Sequence, residues 1–111
     1  MPGIVSYGAY IPYWRMQRSA ITSALGSGGG RGTRSVASYD EDTTSMAVEA
    51  GRIALANAPQ GYSPQNIWFA TATPAYLDKT NATAIHAALA LPDGAGAFDT
   101  NGAVRSQVAA L

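Results

Sequence analysis

The chain of 111 residues has no cysteine, one histidine (His86) and one lysine (Lys79), and only 13% of it is charged. Each shortage excludes something. Without cysteine there is no disulfide, no cysteine-ligated zinc site and no catalytic thiol in this chain. One histidine cannot build a multi-histidine metal site. Seven basic and seven acidic residues are spread thinly, with no basic run, so no nucleic acid and no anionic membrane surface is expected as the main partner. No apolar run approaches the roughly 20 residues that cross a bilayer. The N-terminal stretch MPGIVSYGAYIPYWR lacks a basic start followed by an apolar block, so it is not read as a signal peptide. A cytoplasmic location is the expectation, and the sequon Asn81-Ala82-Thr83 then reads as chance.

Apolar residues make up 47% of the chain. The charged share is low against the usual share of about a quarter, so much of this surface is expected to be covered by something else. The length suits at most one ordinary domain. The last helical pattern carries no stop signal, and the chain reads as a fragment or subdomain, truncated in the helix that starts near residue 103.

The pattern along the chain alternates strand and helix signals. GIVSYGAYIPYW mixes β-branched and aromatic residues and predicts a first strand running into an extended segment. RMQRSAITSAL predicts a modest helix closed by Gly26. GSGGGRGTR predicts a flexible loop, and SVASYDED a short extended segment that turns acidic. The strongest helix follows, with Asp40 or Asp42 as its cap and Glu41 in its first turn. Met46, Ala50, Ile53 and Ala54 give it a stripe of mostly small residues suited to close packing. NIWFATAT and GAGAFDT predict strands buried on both faces. KTNATAIHAALAL predicts a helix between them, ended by Pro92 and Gly94, and GAVRSQVAAL begins another. Together these predict an α/β fold, with a mixed or parallel sheet between helix layers. The missing sheet members imply poor stability of the segment alone.

Candidate functional residues are few. GSGGGRG fails as a phosphate loop, because no G-x-x-x-x-G-K-[ST] is present and the stretch follows a helix. Arg31 and Arg34 remain as donors for a phosphate. The acidic YDED is explained by helix capping, and His86 has no evident partner in sequence. Thr71, Thr73 and Tyr76 cluster at the C-terminal end of a strand, where ligands of α/β sheets bind; they are the candidate catalytic residues. FDTNGAVRS reads as a strand that breaks into a helix, a common mount for a nucleophile, yet the apex carries Val104.

Four stretches, in order and spacing, carry a family resemblance: GIVSYGAYIPYWRM, GTRSVASYDEDTTSMAVEAGRIAL, FATATPAYLDKTNATAIHAAL and AFDTNGAVRS. Together they resemble the N-terminal part of hydroxymethylglutaryl-CoA synthases, thiolase-like condensing enzymes related to 3-oxoacyl-acyl-carrier-protein synthase III. The acidic DED before T-x-M-A-V-E-A is the most specific element. The resemblance implies an incomplete thiolase-like half and a coenzyme A thioester as substrate rather than a resident cofactor. It also implies a homodimer, and a zinc-ribbon/OB-fold partner or fused domain. It implies acyl transfer to a cysteine at a helix start and a glutamate as acid–base group. Residue by residue, Val104 stands in the cysteine's place and Ala72 in the glutamate's. Three functions remain open: a condensing enzyme without the usual cysteine, a thiolase-like aldolase or lyase that forms no acyl-enzyme, and a non-catalytic acyl-CoA-binding or dimerisation subunit.

Overall fold

A computed structural model describes residues 3–111; Met1 and Pro2 lie outside the described residues. The elements alternate: β1 (Trp14–Gln17), α1 (Arg18–Leu25), β2 (Thr33–Val36), α2 (Thr43–Ala56), β3 (Asn66–Thr71), α3 (Asn81–Ala88), β4 (Gly96–Asn101) and α4 (Val104–Ala110). This is the α/β pattern expected. The strands form two sheets of two: β1 antiparallel to β2, and β3 parallel to β4 with α3 as the crossover. The chain divides into two compact units, one made of Ile11–Glu41 and one of the residues up to Tyr10 together with Asp42–Leu111.

In the smaller unit, Trp14 pairs with Val36 and Gln17 with Thr33. Gly26 closes α1 in the left-handed region, φ 78°, where its N–H reaches the Thr22 carbonyl, the role expected of a glycine there. The glycine-rich stretch departs from the expected flexible loop. Gly29 is buried, its N–H donates to Thr22 Oγ1 at 3.2 Å, and its carbonyl accepts from Arg18 Nε at 2.6 Å. Gly32 accepts from the Arg18 N–H at 2.8 Å. The loop is folded back over the start of its own helix, which only a chain without side chains can approach so closely.

In the larger unit, alternation along β3 separates two faces. Phe69 is buried and Ile67 half-buried toward α3, where Ala82 and Ile85 are almost wholly excluded from water. Ala47 and Val48 of α2, with Leu89 and Ala97, pack on this cluster. Full burial of a side chain such as Ile85 contributes about 1.5–3 kcal/mol, so the cluster is the unit's main apolar anchor. The opposite face was expected to be buried too, and it is not. Trp68 is 52% exposed and Phe98 42%; across the ladder they stack on each other, centroids 4.5 Å apart. With Trp68 registered against Phe98, the apolar run reflects one packed face plus one aromatic pair.

α2 is capped as a reciprocal box: Asp42 Oδ1 accepts from the Ser45 N–H at 2.7 Å, and Ser45 Oγ accepts from the Asp42 N–H at 2.9 Å. The expected cap is therefore Asp42, while Glu41 stands before the helix and accepts from the Ser38 N–H. Met46, Ala50, Ile53 and Ala54 are half-buried, as the stripe implied. Gly51 faces Leu89, the C-cap of α3, and a Cβ there would lie 2.9 Å from Leu89 Cδ1. α3 ends in a complete Schellman motif, with Ala90 N–H to Ala87 O and Leu91 N–H to His86 O. The helix thus stops before Pro92. Ala90 takes the left-handed position at φ 50°, the one non-glycine among the described residues to do so.

GIVSYGAYIPYW was expected as a strand, and the structure corrects this. The stretch before Trp14 joins no ladder. Residues 6–8 lie along α2 instead: Ser6 Oγ donates to the Ala54 carbonyl at 2.8 Å, and Asn57 Nδ2 donates to the Tyr7 carbonyl at 3.3 Å. Gly8 allows the approach, since a Cβ there would press on the Ala50 carbonyl, the Ala54 nitrogen and Ile53 Cβ. Two outcomes follow from this packing. Gly8→Ala must move helix backbone and should cost about 1–3 kcal/mol. Ala90→Gly removes a left-handed alanine and should gain about 0.5–1 kcal/mol. Denaturant unfolding of both variants against the parent checks each sign.

Candidate functional site

The C-terminal end of β3 opens on a cavity of about 490 Å³. Phe69 to Thr73 form its floor and near wall; Thr43, Met46, Ala47 and Ala50 of α2, with Tyr10 and Gln107, complete it. Thr71 and Thr73 are therefore where the strand-end argument put them, and Ala72 lies between them on the same wall. Tyr76 is not part of the lining. It stands on the loop that leaves the cavity, 41% exposed, with the Lys79 ammonium 3.9 Å from its ring centre. Arg31 and Arg34 belong to the smaller unit and are exposed; Arg34 pairs with Met16 in the β1–β2 ladder.

Thr71 is 5% exposed. Its Oγ1 accepts from the Thr73 N–H at 3.1 Å, and its carbonyl accepts from the Gly102 N–H at 3.1 Å. A hydroxyl that accepts still has its own hydrogen to donate. Thr43 Oγ1 donates to the Thr73 carbonyl at 2.9 Å, so the first turn of α2 holds the wall from the other side. Among the lining residues Tyr10 is the only titratable side chain; the rest are aliphatic, aromatic, hydroxyl or amide groups.

The strand–turn–helix after β4 is as read from FDTNGAVRS. β4 ends at Asn101, Gly102 takes φ 139°, Ala103 caps, and α4 begins at Val104. Val104 is 72% exposed and does not line the cavity. Ser106 Oγ donates to the Asn101 carbonyl at 3.2 Å. The α4 residue that reaches the cavity is Gln107, one turn beyond the start; nothing in its local sequence singles it out.

The loop wall is fixed by a polar cluster that the sequence reading missed. Thr80 caps α3 with no side-chain hydrogen bond. Asp99 of β4 does that work across space: its Oδ2 accepts from the Asn81 N–H and its Oδ1 from the Ala82 N–H, both at 2.7 Å. Asn81 has no exposed surface. Its Nδ2 donates to Asp99 Oδ2 at 3.0 Å and to the Tyr76 carbonyl at 2.9 Å; its Oδ1 accepts from the Tyr76 N–H at 2.9 Å and from Thr44 Oγ1 at 3.4 Å. The sequon asparagine is thus sealed inside and closed to glycosylation in this fold. Partial burial pushes the Asp99 carboxyl up, but the Asn81 side chain and the Asn81 and Ala82 N–H groups outweigh it and hold the group below its ordinary value. A sequence signal existed: an aspartate inside an otherwise apolar strand pattern, and an asparagine opening a helix whose cap position does not serve it.

His86 is half-buried, with Nε2 3.1 Å from the Pro92 carbonyl oxygen and away from the cavity. Among the described residues, no group of three or more His, Asp or Glu is placed to hold a metal, and no helix is long and apolar enough to cross a membrane.

The chain matches no protein-family model. It is similar over 98% of its length to the hydroxymethylglutaryl-CoA synthase of Methanocella arvoryzae, 32% identical across 116 residues that make up 33% of that protein. The same enzyme of Thermococcus sibiricus is 38% identical over 96 residues, 82% of this chain and 27% of that one. The fold matches β-ketoacyl-acyl-carrier-protein synthase III of Thermus thermophilus with a TM-score of 0.76 at 27% identity, over 91% of this chain and 33% of the other. It also matches the priming β-ketosynthase of the R1128 polyketide pathway, TM-score 0.75 at 25% identity, over 89% of this chain and 32% of the other. The chain spans about a third of the length of the curated relatives it matches.

The lowered Asp99 sets a pH dependence. A carboxylate held below its unfolded value adds stability above that value, near pH 4, and the addition is lost as pH falls through the folded value. Asp99→Asn should cost about 2 kcal/mol at neutral pH, the scale of charge-assisted hydrogen bonds, and the cost should shrink in acid. Denaturant midpoints for both proteins at neutral pH and about pH 3 check the sign.

Proposed function

We propose a function for a chain that belongs, over part of a full-length member, to the thiolase-like superfamily in its hydroxymethylglutaryl-CoA synthase and 3-oxoacyl-acyl-carrier-protein synthase III branch: it builds part of the acyl-CoA site of an enzyme that joins acyl-CoA thioesters through a carbon–carbon bond. The observation that carries this is similarity along nearly the whole chain to hydroxymethylglutaryl-CoA synthases, with a cavity where the strand-end residues meet α2.

The bond forms without an acylated side chain of this chain. Val104 has no group to acylate, and Ala72 none to move a proton. The deprotonated α-carbon of one thioester attacks the thioester carbonyl of the other; as the carbon–carbon bond forms and the carbon–sulfur bond breaks, CoA thiolate leaves and takes up the proton lost from the α-carbon, and in between negative charge develops on the carbonyl oxygen. Thr71 supplies a buried hydroxyl donor for it, preorganised by the Thr73 N–H. Thr73 adds a second hydroxyl on the same wall, and Tyr76, on the loop that follows, is the remaining candidate for proton transfer. The base that removes the α-proton comes from outside the cavity lining. A thioester lyase running the same carbon chemistry in reverse fits the same missing thiol. A homodimer in the cytoplasm, with a zinc-ribbon/OB-fold partner, completes the reading.

One observation favours a second reading. A cavity whose sole titratable lining group is Tyr10 suits a subunit that holds an acyl-CoA and does not convert it. The full-length protein, given acetyl-CoA and acetoacetyl-CoA, separates the two. The condensing reading expects release of free CoA with no acyl mass added to the protein, and a Thr71→Val variant about 100-fold slower. Tight acetyl-CoA binding without turnover selects the binding subunit. An acylated protein in the mass spectrum overturns both.

A further inference from the structure

The wall of the cavity continues into the loop of residues 72–80, which makes no ladder and no helix. Its shape is set from one point. Asn81 grips Tyr76 by both backbone groups, as a second peptide would, and uses the remaining donor and acceptor on Asp99 and Thr44. All four hydrogen-bonding positions of the amide are filled, with the side chain wholly buried. The network also fixes the amide's orientation, because the Tyr76 N–H can face only the oxygen and Asp99 only the nitrogen.

We propose that Asn81 is the positioning residue of the site: it ties α2, β4 and the 72–80 loop together and so holds the loop that carries Thr73 on the cavity wall. The role in ligand binding rests on the acyl-CoA reading; the grip on the loop does not. No other side chain holds both backbone groups of that loop's residues among the described hydrogen bonds. Thr43 holds only the Thr73 carbonyl.

The distinguishing variant is Asn81→Asp. It replaces the donor facing Asp99 Oδ2, now 3.0 Å away, with an oxygen. Two carboxyl groups at that separation share one proton, which raises the apparent upper pKa of the pair. The groups facing the pair are the Asp99 carboxyl from β4, the Thr44 hydroxyl from α2, and the Tyr76 backbone from the loop, with the Lys79 ammonium over the Tyr76 ring. In mild acid the shared proton restores the link to Asp99, and on raising the pH it is lost. The parent behaves oppositely, weakening only as acid reaches Asp99.

Hydrogen exchange of the full chain, corrected for intrinsic rates, reads the loop directly, and calorimetry with acetyl-CoA reads the site. In Asn81→Asp at about pH 8 the 72–80 segment should lose roughly tenfold more protection than β3, acetyl-CoA should bind about tenfold more weakly, and both should recover in part near pH 5, since one shared proton restores the Asp99 link but not the donor to the Tyr76 carbonyl. Thr44→Val, which removes one of the four bonds and keeps the shape, should give a smaller loss in the same segment; it decides the matter if Asn81→Asp does not fold. Loop protection that is unchanged, that falls only in step with β3, or that fails to recover in acid overturns the proposal. If the loop responds as expected while the parent binds no acetyl-CoA, the positioning role stands and the acyl-CoA reading falls.

Discussion

One carboxylate organises the larger unit. Asp99 leaves β4 and accepts three hydrogen bonds from the first turn of α3, two from backbone and one from the Asn81 amide. A helix start has orphan N–H groups and a positive dipole end, and here both are met by a neighbouring strand rather than by the helix's own cap residue. The bond that caps the helix therefore also sets helix against sheet. Ala82 and Ile85 reach Phe69 because α3 is held at that height. The same asparagine then carries the order outward to Tyr76 and inward to Thr44.

The cavity is a consequence of this arrangement. β3 stops at Thr71, the loop is held by Asn81, and the α2 start is fixed by its Asp42–Ser45 box. Between them lies a concave surface with a buried hydroxyl and little charge. The strand–turn–helix that follows β4 starts its helix on a valine. The backbone geometry and the identity of residue 104 are separate facts with separate causes. The geometry is held by backbone: the Gly102 N–H on the Thr71 carbonyl, and the left-handed turn at Gly102 itself. Neither depends on the side chain at 104, so the frame survives whatever residue stands there.

Much of the fold was legible because its signals are local. The Asp42 cap, the α2 stripe, the Gly26 stop and the parallel pair around α3 each follow from spacing of a few residues. The failures share one cause. GIVSYGAYIPYW has strand composition, but its place is decided by what it meets, and Gly8 lets it meet a helix. NIWFATAT reads as buried on both sides because tryptophan is apolar, while Trp68 and Phe98 cover one another instead. GSGGGRG reads as flexible because glycine permits everything, and Arg18 and Thr22 then select one form.

The candidate site divides the same way. Sequence alone determined that Thr71 and Thr73 lie at a strand end, that the apex residue is Val104, and that no thiol is present, since these depend only on residue identity and on the periodicity of one segment. Only tertiary structure decided that Gln107 and Tyr10 share the cavity, that Tyr76 stands outside its lining, and that Asn81 and Asp99 act as one device. Those are pairings across 5 to 18 positions of chain and more, and hydrogen bonds between distant segments leave no period in a sequence. They exist once packing has brought a strand beside a helix start, where an unpaired carboxylate or amide would be costly to bury.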